Sequence, residues 1–274
     1  MSGSSSRSLG VSTSPLTKKR LGFPHIGHPS TKYLTNWSVQ QSASGWLSLG
    51  NYFGHSAVFI TKIKADPIPQ SFDTLQPAFH VNICSVIEAF LDKSSIYMVY
   101  GYYGIIVDLA QVGTSPAVRL LTEPDLASIC RSVLNGLQYI HSQLGVGHGN
   151  ITRSNILLCE NGDIKIANVG TSMLDQVPLS EMEADCRNVG NLLIEMSDPK
   201  AILDPLRRKV PANLSKYGQH FVTQVGSSSY SYIFEHAFLQ QASPDHRTWH
   251  LIPHYWDTLA HWGPIIRSTG NEFR

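Results

Sequence analysis

No stretch of the 274 residues approaches the ~20 consecutive apolar residues that cross a bilayer, and the first residues carry no apolar core of a secretion signal. An intracellular protein, cytoplasmic or nuclear, is therefore expected, with no membrane partner. Excess charge is almost nil: 21 Lys+Arg stand against 20 Asp+Glu, so nothing pulls the chain as a whole toward nucleic acid. Cys84, Cys130, Cys159 and Cys186 show no C-x-x-C spacing and sit mostly in apolar patterns, which excludes a zinc ribbon and predicts reduced core thiols. There is no H-E-x-x-H. His246, His250 and His254 recur every four residues, but Pro253 interrupts the helix that would stack them around a metal. Internal repeats are absent as well.

What is present divides into four parts. Residues 1–36 are rich in serine, glycine and proline, with one basic cluster at Lys18-Lys19-Arg20, and read as a disordered leader. From Thr122 to Ser142, Leu126, Ile129, Val133, Leu137 and Ile140 recur at helical spacing behind a capping pair, Thr122 and Asp125. Ile156–Leu158 and Ile164–Ile166 read as short strands joined by Glu160-Asn161-Gly162-Asp163, whose Asn-Gly is a hairpin signal. Residues 241–274 form an aromatic tail with Trp249, Tyr255, Trp256 and Trp262, expected to dock on its own domain or on a partner.

The segment HGNITRSNILLCENGDIKIANVG, His148 to Gly170, carries the chemistry. Its spacing resembles the protein-kinase catalytic loop H-R-D-L-x-x-x-N followed by D-F-G. His148-Gly149-Asn150 stands at His-Arg-Asp, Thr152 at the usual lysine, Asn155 at the metal-binding asparagine, and Asn168-Val169-Gly170 at Asp-Phe-Gly. His80-Val81-Asn82-Ile83 resembles H-P-N-I, Ile96–Val99 the strand before the hinge, Tyr100 the gatekeeper and Gly101–Tyr103 the hinge. Asp185 resembles the buried aspartate that ties down the catalytic loop, and Phe234–Leu239 resembles the L-L-x-H-P-F-L near the end of many such domains.

The resemblance runs from about Trp37 to Leu239 and is closest to degenerate, fungal-type kinase-like proteins. It implies an α+β, two-lobed protein-kinase-like fold: a small β-rich lobe over residues 37–103, and a truncated, mainly helical lobe over 104–240. In the small lobe it implies strands at Trp46–Phe53 and Ala57–Lys64 on either side of a Gly54-His55 turn. The phosphate loop would fall at Ser42–Gly45, where only Gly45 survives of G-x-G-x-x-G. Lys62 and Lys64 alternate onto one face, so either is a candidate phosphate lysine. The helix that would supply its glutamate partner is eroded: Pro67, Pro69 and Pro77 leave room for one or two turns around Ser71–Gln76, and no glutamate is present.

Asparagine keeps the size of aspartate but cannot accept a hydroxyl proton, a role worth ~10²- to 10⁴-fold in rate. Nor does it bring the charge that anchors Mg²⁺. Asn150 and Thr152 thus remove two catalytic groups, and Asn168 and Asn155 are degenerate metal positions. The expectation is a pseudokinase that scaffolds or allosterically engages a protein partner such as an active kinase, needing no cofactor. Its alternatives are a weak serine/threonine kinase using ATP and Mg²⁺, or a decayed kinase fragment.

Overall fold

A computed structural model of the chain describes residues 23–40, 44–50, 56–114, 121–198, 212–243, 248–263 and 265–268. Alternating aromatic or β-branched and polar residues build the strands β1 (His25–Ile26), β2 (Tyr33–Gln40), β3 (Ser44–Gly50), β4 (Ala57–Lys64), β5 (Val86–Asp92) and β6 (Ser95–Gly101). β7 (Val107–Asp108), β8 (Ile156–Leu158) and β9 (Ile164–Ile166) form a separate three-stranded sheet, and β10 (Ile265–Ser268) returns to the first. The seven-stranded sheet runs β1-β5-β6-β4-β3-β2-β10. Its pairings are antiparallel except β1 with β5. The other lobe is built from α1 (Leu109–Thr114), α2 (Glu123–Tyr139), α3 (Val169–Leu174), α4 (Met182–Ser197), α5 (Lys216–Gln224), α6 (Tyr230–Phe234) and α7 (Ile252–Trp262).

α2 is the spine of the helical lobe. It starts where Asp125 Oδ2 accepts from Thr122 N at 2.7 Å and from Thr122 Oγ1 at 2.6 Å, and it runs into a π turn at Ile140–Leu144. Its apolar stripe, Leu126, Ile129, Val133, Leu137 and Ile140, is buried. Each such side chain contributes about 1.5–3 kcal/mol of transfer free energy. One continuous core joins this stripe to Met98 and Tyr100 of the sheet and to Ile156, Ile164 and Ile166 of the hairpin, so the two lobes share their apolar interior.

The regulatory helix is reduced to a single 3₁₀ segment, Gln70–Thr74, after Pro69. Two expectations need correction. The leader does not extend to residue 36: Phe23 is buried in the core, β1 pairs with Phe90 and Leu91, and β2 begins at Tyr33. The Ser/Gly/Pro composition hid the strand pattern of Tyr33, Thr35, Trp37 and Val39. The strand placed at Trp46–Phe53 begins two residues earlier, at Ser44, and residues 51–55, including the Gly54-His55 turn, lie outside the described residues.

The tail folds back. Leu251 and Tyr255 are buried, Tyr255 Oη donates to Ile105 O at 2.7 Å, and Trp249, Trp256 and Trp262 are exposed. His250 and His254 approach the Asp125 carboxylate at 3.5 and 3.9 Å, whereas His246 lies outside the described residues. Pro253 sits in the first turn of α7, where its missing N–H costs nothing. No helix among the described residues is long and apolar enough to cross a membrane.

Candidate functional site

Asp185 organises the loop before α3. Its carboxylate accepts from the amides of His148 at 2.7 Å and Gly149 at 2.8 Å, and lies 3.0 Å from His141 Nε2, with the far side of that ring 2.8 Å from Tyr230 Oη. Burial pushes this carboxyl up, but the bonds from His141, His148 and Gly149 outweigh it and hold the group below the usual carboxylate range. His148 is itself buried. Its Nδ1 accepts from Asn150 N at 3.2 Å and its Nε2 faces Ala167 O at 2.9 Å, which fixes the neutral tautomer. Burial lowers its pKa below the ordinary value. His148, expected among the catalytic positions, is thus a positioning group with both ring nitrogens engaged.

Asn150 and Thr152 are exposed on the loop and line a cavity with Asn188, Asn191 and Glu195 of α4. Asn155 is the hub beneath them. Its Nδ2 donates to Asn150 O at 2.9 Å, and its Oδ1 accepts from Asn168 Nδ2, also at 2.9 Å. Asn155 and Asn168, the two positions expected to be degenerate metal positions, are therefore brought together and hydrogen-bonded to each other. Asn168 takes a left-handed conformation, φ 62°, and α3 starts at the next residue. Among the described residues no group of three or more histidine, cysteine or acidic side chains gathers as a metal site. Asp175, Glu181 and Glu183 are exposed and line neither the cleft nor the cavity beneath the loop.

Between the lobes, Phe59, Thr61, Tyr100, Gly101, Leu157, Ala167 and Asn168 enclose a cleft of only about 40 Å³. That volume suffices for a few waters. Register decides which strand residues reach it. Phe59 pairs with Tyr100 and Thr61 with Met98, so the odd positions of β4 face the cleft. Lys62 and Lys64 point the other way, on the face of Val58 and Ile60, where Lys62 Nζ lies 5.4 Å from the Tyr97 ring centre. The expected phosphate lysine is thus corrected: Thr61 occupies the inward position. The alternation was right, but the sequence alone did not show which face turned inward.

Gly45 lies in β3, where a Cβ would come 2.5 Å from the Phe59 ring and 2.6 Å from Ile60 O. Close packing against Phe59 and Ile60 accounts for a glycine at this position. Ser42 lies outside the described residues. Tyr100 is buried, with its hydroxyl against Thr61, Thr171 and Gly170, and burial raises its pKa. Gly101 N donates to Ser85 O at 3.0 Å, and Tyr103 Oη donates to Ser85 Oγ at 2.9 Å, which fastens the hinge to the start of β5. α3 fills the space beside Tyr100. Ser71 Oγ of the 3₁₀ segment donates to Leu174 O, and Ser172 Oγ donates to His148 O at 2.9 Å. The role of α3 was missed from sequence, because Val169–Leu174 is too short for helical periodicity to announce it.

The protein kinase domain model matches residues 60–184. The chain is 29% identical over 153 residues to the serine/threonine-protein kinase STE20 of Saccharomyces cerevisiae, covering 53% of this chain and 16% of that protein. It is 30% identical over 154 residues to ste20 of Emericella nidulans, with 53% and 17% covered, and 28% identical over 153 residues to pakA of Talaromyces marneffei, with 53% and 23% covered. The chain thus carries, over residues 60–184, a stretch similar to a protein kinase domain, within a two-lobed, kinase-like fold. It spans about a sixth to a quarter of the length of these curated relatives.

Proposed function

We propose that this kinase domain works by binding, as a scaffold or allosteric partner of another protein such as an active kinase, and transfers no phosphate itself. The observation that carries the reading is the hydrogen bond from Asn168 Nδ2 to Asn155 Oδ1. A donor set of two neutral amides spent on each other does not fit Mg²⁺, which is held through carboxylates and phosphates. Thr61 in the inward strand position brings no cation to a triphosphate, and Phe59 and Tyr100 line a narrow cleft. Asn150 presents no group to accept a hydroxyl proton.

The loop is nevertheless held in place by the full set of Asp185 bonds, which supports retention of shape for recognition. Thermal unfolding with ATP, with and without Mg²⁺, tests the reading. A ligand that binds only the folded state at a hundredfold excess over Kd stabilises it by about 2.7 kcal/mol. No shift is expected; a Mg²⁺-dependent rise, together with phosphate transfer to a protein acceptor, would establish an enzyme instead.

A further inference from the structure

Two histidines meet where the helical lobe turns after α6. His220, on α5, is exposed, and His236, just past α6, is half-buried with its ring against Phe221, 5.4 Å between centroids. His220 Nδ1 and His236 Nε2 lie 2.8 Å apart. Their planes differ by only 14°, yet stacked faces sit about 3.5 Å apart at closest, so with centroids 5.1 Å apart the rings meet edge to edge through one hydrogen bond.

The backbone assigns the proton in that bond. Phe238 N donates to His236 Nδ1 at 3.2 Å, and an amide can only donate, so Nδ1 is bare and the neutral ring carries its proton on Nε2. His236 Nε2 therefore donates to His220 Nδ1, and His220 in turn carries its proton on Nε2. The result is a one-way chain from the Phe238 amide through His236 to His220, in which each bare ring nitrogen is already accepting. A further proton on His236 Nδ1 would face the Phe238 N–H, and one on His220 Nδ1 would face the His236 N–H. Either position breaks a link.

The charged and titratable neighbours do not offset that cost. Lys216, one turn before His220, and Glu235, beside His236, are exposed, as are the Tyr217 and Tyr232 phenols. Tyr230 Oη is engaged with His141. From α2, Glu123 accepts from Ser215 N, and Arg131 donates to Leu239 O with its guanidinium over Phe234; from α4, Arg187 lies against Gly226. Among the described residues none of these bonds to either ring. Burial, with His220 beside it, lowers the His236 pKa below its ordinary value.

We propose that His220 and His236 form a proton-sensitive latch, which ties α5 to residues 234–239 while both rings are neutral and lets go on acidification. Because the folded-state pKa of His236 lies below the unfolded value near 6.5, the latch is complete above that pH and is lost as pH falls through the folded value. The Phe221 and Phe238 rings pack 4.8 Å apart beside it, so the part loosened is the corner between α5 and the end of α6. The latch does not depend on the pseudokinase reading.

Hydrogen exchange and imidazole nitrogen shifts of the full chain, read by NMR from pH 8 to 5, test it. At pH 7.5 both rings should be neutral with the proton on Nε2. By pH 5.5 one link should be gone, seen as loss of the His236 Nε2 proton signal or as a fall of at least tenfold in the Phe238 amide protection factor, while amides in the middle of α2 change less than threefold. His236→Asn puts a non-titrating oxygen two residues before the same amide, as in an Asx turn, and should hold the Phe238 protection within threefold over that range. A proton on either Nδ1 at pH 7.5, both links intact at pH 5.5, or an equal loss of Phe238 protection in His236→Asn or throughout α2 would overturn the latch.

Discussion

Asp185 Oδ1 accepts from the backbone of Gly149 at 2.8 Å across 36 positions of sequence, with the carboxylate 1% exposed. The loop that carries Asn150 is thus fastened by a carboxylate from α4. Asp185→Ala removes the acceptor of two buried amides and of the His141 ring. A loss of about 3–5 kcal/mol is expected, read as a lower urea midpoint. Asp185→Asn keeps one acceptor oxygen and should cost clearly less; equal losses would contradict this account.

Acid should unfold the protein early. The folded-state pKa of His148 lies below its unfolded value near 6.5, so the unfolded chain binds the extra proton first. Its contribution is complete above pH 6.5 and is lost as pH falls from there through the folded value. Asp185, also depressed, adds a second loss below the unfolded carboxylate value near 3.8. Denaturant midpoints should therefore be flat from pH 7 to 8 and decline below about 6.5. His148→Gln should flatten the upper part of that decline.

Lys62 and Lys64 face away from the cleft. Replacing both by alanine should leave any nucleotide response unchanged. Thr61→Lys with Asn168→Asp places one cation and one carboxylate beside the cleft and should create a Mg²⁺-dependent thermal response to ATP once Phe59→Ala widens it. A response lost in the Lys62/Lys64 double variant would show that the register argument fails.

Two turn glycines separate conformation from contact. Gly145 has φ +71° with nothing near a built Cβ, so alanine costs only the left-handed conformation, about 1–2 kcal/mol. Gly162 has φ +87°, and its Cβ would fall 2.4 Å from Thr248 O. Gly162→Ala should cost more than Gly145→Ala in equilibrium unfolding and change the emission of Trp249, the next residue along.

Much of this was legible because local chemistry is written in neighbouring residues. The β8 and β9 limits, the Thr122–Asp125 cap and the Asn161-Gly162 hairpin follow from period, capping and turn residues, and the β4 limits follow from the resemblance. The Asp185 tie followed from motif order, and the geometry bears it out. What escaped was long-range. Which face of β4 turns inward is set by its pairing with β6, and Asn155 meets Asn168 only once β8 and β9 have paired. β1 and β10 are too short to declare themselves, since their partners lie about 65 and 227 residues away.

Those two short strands decide how the sheet meets its surroundings. β1 lies along β5 at one margin and β10 along β2 at the other, leaving ribbons of two and four residues outermost. Brief margins offer little template for another chain's backbone. Since β10 comes from the far end of the described chain, the small lobe lacks that guard until Ser268 has been made. A nascent or C-terminally clipped chain would expose β2 as a ladder open to neighbours, which makes self-association, rather than loss of the helical lobe, the first symptom of truncation.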